Sequence, residues 1–569
     1  MKAKTLLFLQ LPQLDNEVAG PHENLPMAAA YLRRALERAE ERPCFAPCLL
    51  EDSERDLDDA HLVDAIVARK PSVIACTVYL WNVERTLHVL RQVRMRIPEV
   101  KILAGGPEAA IDHPFLATSS LLDGISVGEG EPVFPGLLRA LKTGACPDYD
   151  GVAWRGESGS LAWGTRRPPS VALQAALPPV GFRWLQPNAH GMAYMEASRG
   201  CPLLCTYCRY HHFRRGLSFL PPREVVRRIS ALQERGAKEI RFIDPTFNAS
   251  PAFDEVLRSL VRLNRRRRLS FFAEIRAETL TVEQAARLGA ANFAEIEVGV
   301  QSISPDVLRN IRRPSRIDAV ERGIRLLSAN GVTPTVDLMY GLPGQTLEDV
   351  KRSLDWAMRF RRASIQCLQT LVLPGTDLRT QRRKWGLRFV EKPPYGVVST
   401  NTMPAADMEA AEAYIHSRSR LPLDCPTSRF VGSRLPELFP EQVHVRLPLN
   451  GPLETIPGRA NRRALVLEGA DLWAARSELS DVVHRAVRAE PHILWQFVLA
   501  PEREEPLDLI DRVVAGIRRG PSHINDRYAS VMFSRKLASR RVFLKLRAGR
   551  RYDPSWIHAA EALLRKTFY

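Results

Sequence analysis

The sequence predicts an α/β protein of about three domains, and three observations support that fold class. Short apolar strands alternate with amphipathic helices over residues 1–145, and the same alternation resumes at about residue 189. A chain of 569 residues is too long for a single hydrophobic core. Its composition, with 45% hydrophobic and 25% charged residues, is typical of a globular protein and not of a disordered one.

Residues 1–145 have the pattern of a Rossmann-like domain, in which helices cover both faces of a parallel sheet. The predicted strands lie at residues 5–11, 45–50, 73–77, 101–104 and 124–127. The predicted helices lie at residues 26–38, 62–69, 83–97 and 134–141. Ligands of such sheets bind beyond the carboxyl ends of the strands, so the loops after the strands are candidate binding loops.

Three of these loops have unusual compositions. The third strand is followed by Tyr79, Trp81 and Asn82. The turns after the fourth and fifth strands contain Gly105, Gly106, Pro107 and Glu108, and then Gly128, Glu129 and Gly130. Glycines at strand ends let the backbone approach a bulky ligand closely. A nucleotide-binding or purely architectural unit is the alternative interpretation.

Residues 146–188 are rich in Pro and Gly and are predicted to be a linker. Two short apolar runs within it, at residues 152–154 and 161–163, predict a hairpin. This segment is expected to separate the first domain from the second.

Residues 189–394 predict a partial (β/α)6 barrel, because strands and helices alternate six times. The predicted strands lie at residues 193–197, 239–243, 270–275, 295–300, 333–339 and 365–371, with helices such as 222–234 and 251–264 between them. Catalytic residues of barrels gather at the carboxyl ends of the strands. The loops after these six strands are therefore a second candidate site.

The loop after the first barrel strand contains Cys201, Cys205 and Cys208 in a CxxxCxxC arrangement. Three thiols within eight residues are too close for a disulfide framework and one short of a closed four-thiolate zinc site. Three thiolates on a [4Fe-4S] cluster leave one iron open to a substrate or cofactor. A zinc knuckle completed by His211 or His212, or three unrelated buried cysteines, is the alternative.

With Tyr207 before the last cysteine, this motif resembles the signature of the radical S-adenosylmethionine (SAM) enzymes. The resemblance implies that SAM chelates the open iron through its amino and carboxylate groups. Later strand ends match the family in order, which implies SAM contacts from Tyr207, Thr246, Glu274, Arg276, Gln301, Ser302, Gly341 and Leu342. Thr246 lies where many members have Gly-Gly-Glu, a departure from the family pattern. Salt bridges that cap the barrel and an ordinary Gly-Leu-Pro-Gly turn are the alternative explanation.

A Rossmann-like unit placed before this motif resembles the cobalamin-binding domain of the cobalamin-dependent radical SAM family. The resemblance implies that cobalamin is contacted by Tyr79, Trp81, Asn82, Gly105, Gly106, Pro107, Glu108, Gly128, Glu129 and Gly130. The DxHxxG motif that supplies a histidine to cobalt in other cobalamin proteins is absent, since Asp15 and His22 have the wrong spacing. The loop of residues 79–82 is the candidate neighbour of the lower cobalt face.

Residues 395–569 resemble no family and are predicted to form an α/β cap over the barrel mouth that helps to select the substrate. The predicted helices lie at residues 408–419, 471–489 and 506–519. The predicted strands lie at residues 464–467, 492–499, 531–533 and 542–546.

The family resemblance implies a methyltransferase that acts on a carbon of a small metabolite or peptide. SAM would then supply both the methyl group, by way of cobalamin, and a 5′-deoxyadenosyl radical. Rearrangement or cyclisation without methyl transfer, modification of RNA or a peptide, and a non-catalytic cobalamin sensor are the alternatives. An electron donor such as flavodoxin or ferredoxin is the expected protein partner.

The net charge of +17 is typical of proteins that bind nucleic acid or acidic partners. The arginines are scattered, however, and the densest run, at residues 265–268, fits a solvated turn, so nucleic acid is not the expected ligand. No apolar segment approaches the roughly 18 residues that a membrane span needs. Nine cysteines, three of them in the cluster motif, indicate a reducing compartment and hence a cytoplasmic protein.

Overall fold

The computed structural model describes residues 3–15, 25–144, 147–156, 159–210, 216–418, 431–432, 435, 438–450, 456–529 and 539–566. These residues form three α/β units, each built around its own mostly parallel sheet. The predicted fold class is confirmed. His22, His211 and His212 and the predicted strand at residues 531–533 lie outside the described residues.

The N-terminal sheet has seven strands. They are β1 (Lys4–Leu9), β2 (Phe45–Leu49), β3 (Val73–Thr77), β4 (Lys101–Gly105), β5 (Gly124–Ser126), β6 (Val152–Arg155) and β7 (Leu161–Trp163). The helices are α1 (Met27–Glu37), α2 (Asp59–Ala68), α3 (Val83–Arg96), α4 (Phe134–Thr143) and the short α5 (Leu173–Ala176). The strand order is β2-β1-β3-β4-β5-β6-β7, and the first five strands are parallel. Apolar side chains on both faces, from Leu6 to Ile125, pack against the helices.

The predicted hairpin does not lie in a free linker. Strand β6 pairs antiparallel with β5, and β7 pairs with β6, so the hairpin extends the N-terminal sheet. Val152, Ala153 and Trp154 are buried against that sheet, and this burial explains the attachment. The N-terminal domain therefore continues beyond the boundary predicted at residue 145.

The second unit is a six-stranded parallel sheet, curved into the predicted partial barrel. Its strands are β8 (Met192–Met195), β11 (Glu239–Phe242), β12 (Ser270–Ile275), β13 (Phe293–Gln301), β14 (Thr333–Tyr340) and β15 (Ser364–Gln369), in the order β15-β14-β13-β12-β11-β8. Two short pairs accompany it, β9 (Ser198–Arg199) with β10 (Ser218–Phe219), and β16 (Arg388–Phe389) with β17 (Val397–Ser399). The helices are α6 (Pro222–Glu234), α7 (Phe253–Leu263), α8 (Val282–Ala291), α9 (Pro305–Asn310), α10 (Ile317–Ala329), α11 (Leu347–Ala357) and α12 (Asp377–Thr380).

The next helix, α13 (Ala405–Arg418), belongs to the barrel and not to the C-terminal domain. Its Met408, Ala411 and Ile415 are buried in the barrel core. The Tyr414 hydroxyl also donates to the Asp355 carboxylate on α11, at 2.8 Å. The boundary predicted at residue 395 is therefore too early for this helix.

The C-terminal domain contains a five-stranded parallel sheet in the order β18-β22-β21-β20-β19. Its strands are β18 (Val431–Gly432), β19 (Gln442–Arg446), β20 (Arg462–Gly469), β21 (Leu494–Pro501) and β22 (Arg540–Lys545). Its helices are α14 (Arg476–Ala489), α15 (Asp508–Arg518), α16 (Ile524–Ala529) and α17 (Pro554–Lys566).

This domain docks on the N-terminal domain. The backbone N–H of Asp58 donates to the Arg459 carbonyl at 2.6 Å, and the N–H of Asn461 donates to the Asp56 carbonyl at 2.7 Å. Arg463 and Asp58 form a fully buried ion pair at the same interface. Arg527 Nε also donates to the Pro393 carbonyl, at 2.5 Å, so the domain contacts the end of the barrel segment as well, and its predicted role as a cap stays a prediction. Within the described residues, no helix is both long and apolar enough to cross a membrane.

Candidate active site

The three cysteines of the CxxxCxxC loop line one cavity of about 160 Å³ at the carboxyl ends of the barrel strands. Other lining residues are Tyr207, Tyr210, Thr246, Glu274, Arg276, Glu297, Gly299, Gln301, Arg313 and Asp337. Tyr207 and Tyr210 belong to the cysteine loop itself, and the others come from β12, β13 and β14 and from the loops that follow β11, β12 and β13. We call this space the cluster cavity.

Backbone hydrogen bonds fix the cysteine loop at both ends. The buried carboxylate of Asp244 accepts the N–H of Ala197 at 3.0 Å, just after β8. Farther along, the N–H of Thr206 donates to the Ile311 carbonyl at 3.0 Å, and the Thr206 carbonyl accepts the N–H of Leu378 at 2.8 Å. Segments far apart in sequence thus hold the loop in place.

Polar groups approach two of the cysteine sulfurs. The N–H of Leu203 donates to Cys201 Sγ at 3.5 Å. Arg313 Nη1 donates to Cys205 Sγ at 3.8 Å. Burial raises the pKa of Cys208 to about 12, with a further contribution from the negative charge of the neighbouring cysteines. Ligation by iron would favour the thiolate form of Cys208 that this burial disfavours.

The arrangement of the thiols fits an iron–sulfur cluster. Among the residues that the structure describes, no three His, Cys, Asp or Glu side chains converge closely enough to hold a single metal ion. A [4Fe-4S] cluster is a cube that carries its irons at separate corners, so its three thiolates surround a cavity and need not converge. The three cysteines meet that requirement because all of them line the same space.

Five of the eight residues predicted to contact SAM line the cluster cavity. They are Tyr207, Thr246, Glu274, Arg276 and Gln301. Gln301 has a φ of 67°, an uncommon conformation for a residue other than glycine. The pairing of β13 with β14 also shifts register between Gly299 and Gln301, and such a bulge redirects side chains at the end of a strand.

The other three predicted SAM residues lie outside the cavity lining. Ser302 is buried, and its hydroxyl accepts the N–H of Ser304 at 3.2 Å. Leu342 is buried in a small apolar cluster with Val307 and Ile311. A Cβ at Gly341 would lie 2.8 Å from Met408 Cε, so this glycine allows α13 to pack. Contacts of these three residues with SAM stay a prediction.

The cluster cavity also contains charged residues that sequence reasoning did not select. Glu297 and Asp337 face Glu274, and burial together with the Glu297 charge raises the pKa of Glu274 to about 7. The pKa of Asp337 is raised by the same two causes. Arg313 balances part of this charge and also donates to the Gly299 carbonyl. This excess of carboxylates suits a cationic ligand.

A second cavity, of about 310 Å³, lies between the carboxyl edge of the N-terminal sheet and the barrel. Six of the ten predicted cobalamin residues line it, namely Gly105, Gly106, Pro107, Gly128, Glu129 and Gly130. Gly106 has a φ of 109°, and a Cβ there would lie 2.7 Å from the Val78 carbonyl oxygen. Because glycines line this edge, no side chain stands between their backbone and the cavity, and a large flat ligand such as cobalamin can approach the backbone closely. We call this space the corrin cavity.

Arg199 of β9 joins the two domains at the wall of the corrin cavity. It forms ion pairs of 2.7 Å with Glu196 and with Glu131, and it lies 3.6 Å from Glu129. Its guanidinium also lies 5.3 Å from the centre of the Tyr31 ring. The Gly-Glu-Gly turn therefore holds the barrel as well as lining the cavity, a role that its glycines did not indicate.

The remaining predicted cobalamin residues have structural partners. The side-chain amide of Asn82 donates to the Leu11 carbonyl at 2.9 Å. Glu108 is buried and accepts the Tyr395 hydroxyl at 2.7 Å. Tyr79 stacks on Trp81 with 4.5 Å between ring centres, and Trp81 packs against Ile524 of the C-terminal domain. None of the four lines the corrin cavity, and their contact with cobalamin stays a prediction.

The corrin cavity and the cluster cavity share a wall. Tyr210 and Pro245 line both of them. Tyr210 follows the third cysteine by two residues, and 44% of its surface is exposed, next to these spaces. A group bound in one cavity would therefore lie only one side chain away from a group bound in the other.

Comparison with known families agrees with this division. Residues 18–138 match the B12 binding domain, and residues 195–357 match the radical SAM superfamily. The first match contains the glycine turns of the corrin cavity, and the second contains the three cysteines. The chain therefore combines a B12-binding domain with a radical SAM domain, in the order that the resemblance to the cobalamin-dependent radical SAM family predicted. Its cofactors are a [4Fe-4S] cluster, SAM and cobalamin, and the corresponding predictions are confirmed.

Two curated relatives of this radical SAM chain illustrate different reactions. The anaerobic magnesium-protoporphyrin IX monomethyl ester cyclase of Rubrivivax gelatinosus is 24% identical over 329 residues, which cover 53% of this chain. The cobalamin-dependent radical SAM methyltransferase TokK of Streptomyces tokunonensis is 24% identical over 394 residues, which cover 65% of this chain. Each match covers 57% of the relative's own length.

A solved structure shares the fold of this radical SAM chain. The radical S-adenosylmethionine methyltransferase TsrM of Kitasatospora setae superposes with a TM-score of 0.55, at 17% identity. The superposition covers 74% of this chain and 90% of TsrM. The arrangement of a B12-binding domain beside a radical SAM barrel is therefore common to both.

Proposed function

We propose that this protein is a methyltransferase that acts on a carbon of a small metabolite or a peptide. The observation that carries the proposal is the wall shared by the corrin and cluster cavities at Tyr210 and Pro245. When bound, cobalamin carries a methyl group that it can give to a carbon that is not nucleophilic, while SAM at the cluster supplies a radical. A substrate next to Tyr210 would be within reach of both.

The residues of the chain bind and orient the reactants. Cys201, Cys205 and Cys208 would hold the cluster, and the carboxylates of Glu274 and Asp337 would face the positive charge of SAM. The glycine turns would leave one face of the corrin accessible from the barrel. The names of TokK and TsrM, both methyltransferases, support the same reaction class.

Ring closure without methyl transfer is the second candidate. The relative from Rubrivivax gelatinosus is a cyclase, and its identity to this chain equals that of TokK. The two reactions would use the same two cavities, so they are distinguished by the product and not by the lining of the site.

An isotope experiment separates the two candidates. The reconstituted enzyme is incubated with a reductant, cobalamin and SAM that carries a trideuterated methyl group, in extract of a strain lacking the protein. We expect one product that has gained a labelled methyl group, together with 5′-deoxyadenosine. The variant with all three cysteines replaced by alanine serves as the control and should form neither.

Each other outcome has a definite meaning. 5′-Deoxyadenosine with an altered but unlabelled product would favour ring closure or rearrangement and contradict methyl transfer. A labelled product with S-adenosylhomocysteine and no 5′-deoxyadenosine would retain methyl transfer but exclude the radical route. Label in RNA would replace the proposed class of substrate.

A further inference from the structure

An arginine-rich cavity lies on the outside of the barrel, next to the cluster cavity. Its volume is about 510 Å³, and its lining includes Arg276, Glu278, Arg309, Pro314, Arg316 and Arg322. Arg276 lines the cluster cavity as well. The two spaces are therefore separated by a single layer of side chains.

One loop connects this arginine-rich cavity to the cysteines. Within residues 311–316, the Ile311 carbonyl accepts the N–H of Thr206, and Arg313 donates to Cys205 Sγ at 3.8 Å. The next residues of the loop, Pro314 and Arg316, line the outer cavity. Pro314 of the outer cavity follows Arg313 directly, and Arg313 contacts Cys205. The outer surface and the cluster ligands are therefore connected by a short path for an electron.

The surface around this loop is basic and exposed. Residues 305–325 contain six arginines and three acidic residues. The side chains of Arg309 and Arg316 are 72% and 80% exposed. Each pairs with an aspartate of its own segment, Asp306 and Asp318, while Arg276 pairs with Glu278 at 2.8 Å. Arg322 is also exposed.

Such exposed charges favour a transient protein partner over a tightly bound small anion. Ion pairs between solvated side chains add little affinity, because water and salt screen them. They do, however, speed the encounter of oppositely charged proteins. Small, weakly held interfaces are typical of electron-transfer complexes.

We propose that this arginine-rich face is the docking site of an acidic one-electron carrier protein that reduces the cluster. The inference rests on the proposed function, because only reductive chemistry at the cluster requires such a partner. The carrier loses one electron and the cluster gains it, with no bond formed or broken and no proton transferred. Arg309, Arg316 and Arg322 guide the encounter, and the loop of residues 311–316 lies between carrier and cluster.

Charge reversal tests the docking site on the reconstituted full-length protein. In the variant R309E/R316E/R322E, we expect the second-order rate of cluster reduction by a reduced, acidic flavodoxin to fall at least tenfold at low ionic strength. High salt should remove most of the difference. Binding of oxidised flavodoxin, measured by titration, should weaken in parallel.

The control is R265E/R266E/R268E, which carries the same change of charge. These exposed arginines lie just before β12, at the opposite end of the barrel strands from the cysteines. We expect this variant to be reduced by flavodoxin within about twofold of the wild-type rate. Dithionite, a small reductant that needs no docking, should reduce the cluster equally fast in all three proteins, which shows that the cluster is intact.

Several results would overturn the proposal. These are no reduction of the wild-type cluster by flavodoxin or by an acidic ferredoxin, equal losses in both variants, or an unchanged rate in R309E/R316E/R322E. If flavodoxin reduces R309E/R316E/R322E at the normal rate but this variant forms less product when dithionite is the reductant, the cavity binds an anionic small molecule and not a carrier protein. Reduction is measured without substrate, so the result does not depend on whether methyl transfer is the reaction.

Discussion

The corrin cavity and the cluster cavity adjoin at Tyr210, yet their walls are made of different parts of the chain. Glycine turns at the ends of β4 and β5, together with apolar side chains of α1 and α4, line the first, and Arg199 at its wall is paired with carboxylates from both domains. The thiols of the cysteine loop and unbalanced carboxylates from β12, β13 and β14 form the second. The first cavity thus selects its ligand by shape, and the second selects it by ligand chemistry and charge.

The largest effect is expected from the thiols. Replacement of Cys201, Cys205 and Cys208 by alanine removes every protein ligand of the cluster, so iron should fall from about four atoms per chain to nearly none. Metal analysis and the visible spectrum measure this after anaerobic reconstitution. Cobalamin binding should stay within about twofold of the wild type, because none of these residues lines the corrin cavity.

Cys48→Ala is the matched control for that experiment. Cys48 is a free, half-buried thiol on β2, far from the loop in sequence. Its loss should leave the iron content unchanged. Retention of stoichiometric iron in the triple variant would contradict the assignment, and stoichiometric zinc in the wild type would do so as well.

The next effect concerns the glycine edge. In Gly106→Val, the new side chain meets the Val78 carbonyl at 2.7 Å and Thr77 Cγ2 at 3.0 Å, and φ is 109°. We expect the affinity for hydroxocobalamin, followed by its absorption spectrum, to fall at least about tenfold, because the backbone edge must shift. Iron content should not change.

Gly144→Val separates obstruction from backbone strain. Gly144 also has a positive φ, of 73°, but nothing lies within 4 Å of a Cβ built there. This variant should bind cobalamin like the wild type even if it is less stable. Equal affinity in the Gly106→Val variant would show that the edge of the N-terminal sheet does not hold the corrin.

A smaller effect is expected from Arg199, which forms ion pairs with carboxylates of both domains. The Arg199 side chain is 11% exposed, and Arg199→Gln leaves Glu131 and Glu196 buried without their cation. Breaking such a pair costs about 3–5 kcal/mol of unfolding free energy. Arg227→Gln removes a guanidinium that is 59% exposed and should change the unfolding free energy far less, because solvent screens its ion pair.

Chemical denaturation monitored by fluorescence measures the unfolding free energy of both variants. A cobalamin titration then measures their affinity for the cofactor. If Arg199 only stabilises the fold, cobalamin affinity will not change once the protein is folded. If it also sets the position of the barrel wall, affinity will fall in Arg199→Gln and recover partly in Arg199→Lys.

The smallest effect concerns the unbalanced charge of the cluster cavity. Burial and the Glu297 charge raise the pKa of Glu274 to about 7 from an ordinary value of 4.5. The folded protein therefore binds a proton more tightly than the unfolded chain, and the stability that this contributes is present below pH 4.5 and is lost as pH rises through 7. In the metal-free protein, Glu274→Gln should be more stable than the wild type at pH 8, by no more than the roughly 3 kcal/mol that a shift of this size represents.

The difference between Glu274→Gln and wild type should vanish below about pH 3.5, where the wild-type side chain is protonated in both the folded and the unfolded state. Glu99→Gln, at an exposed position of the N-terminal domain, is the control and should show little effect at either pH. A pH-independent difference for Glu274→Gln would mean that packing, and not charge, causes it.

The sequence by itself determined the strands, the cysteine loop and the glycine turns. Residues 73–77 and 270–275 were predicted with the bounds that the structure has, because an apolar run between turn residues fixes where a buried strand begins and ends. The thiols and glycines were identifiable because their chemistry is carried by adjacent residues. The placement of both cavities at the carboxyl ends of strands followed from the parallel topology.

Only the tertiary structure decided which distant residues meet. Arg313 and Cys205 are 108 residues apart, and Arg199 and Glu131 are 68 apart, so no local pattern distinguishes these arginines from the others in a strongly basic chain. Local sequence patterns also did not show that the hairpin β6–β7 attaches to β5, or that the C-terminal domain docks on the N-terminal domain. Periodicity shows which face of an element is buried, but the surface that covers it is chosen by packing among all the elements together.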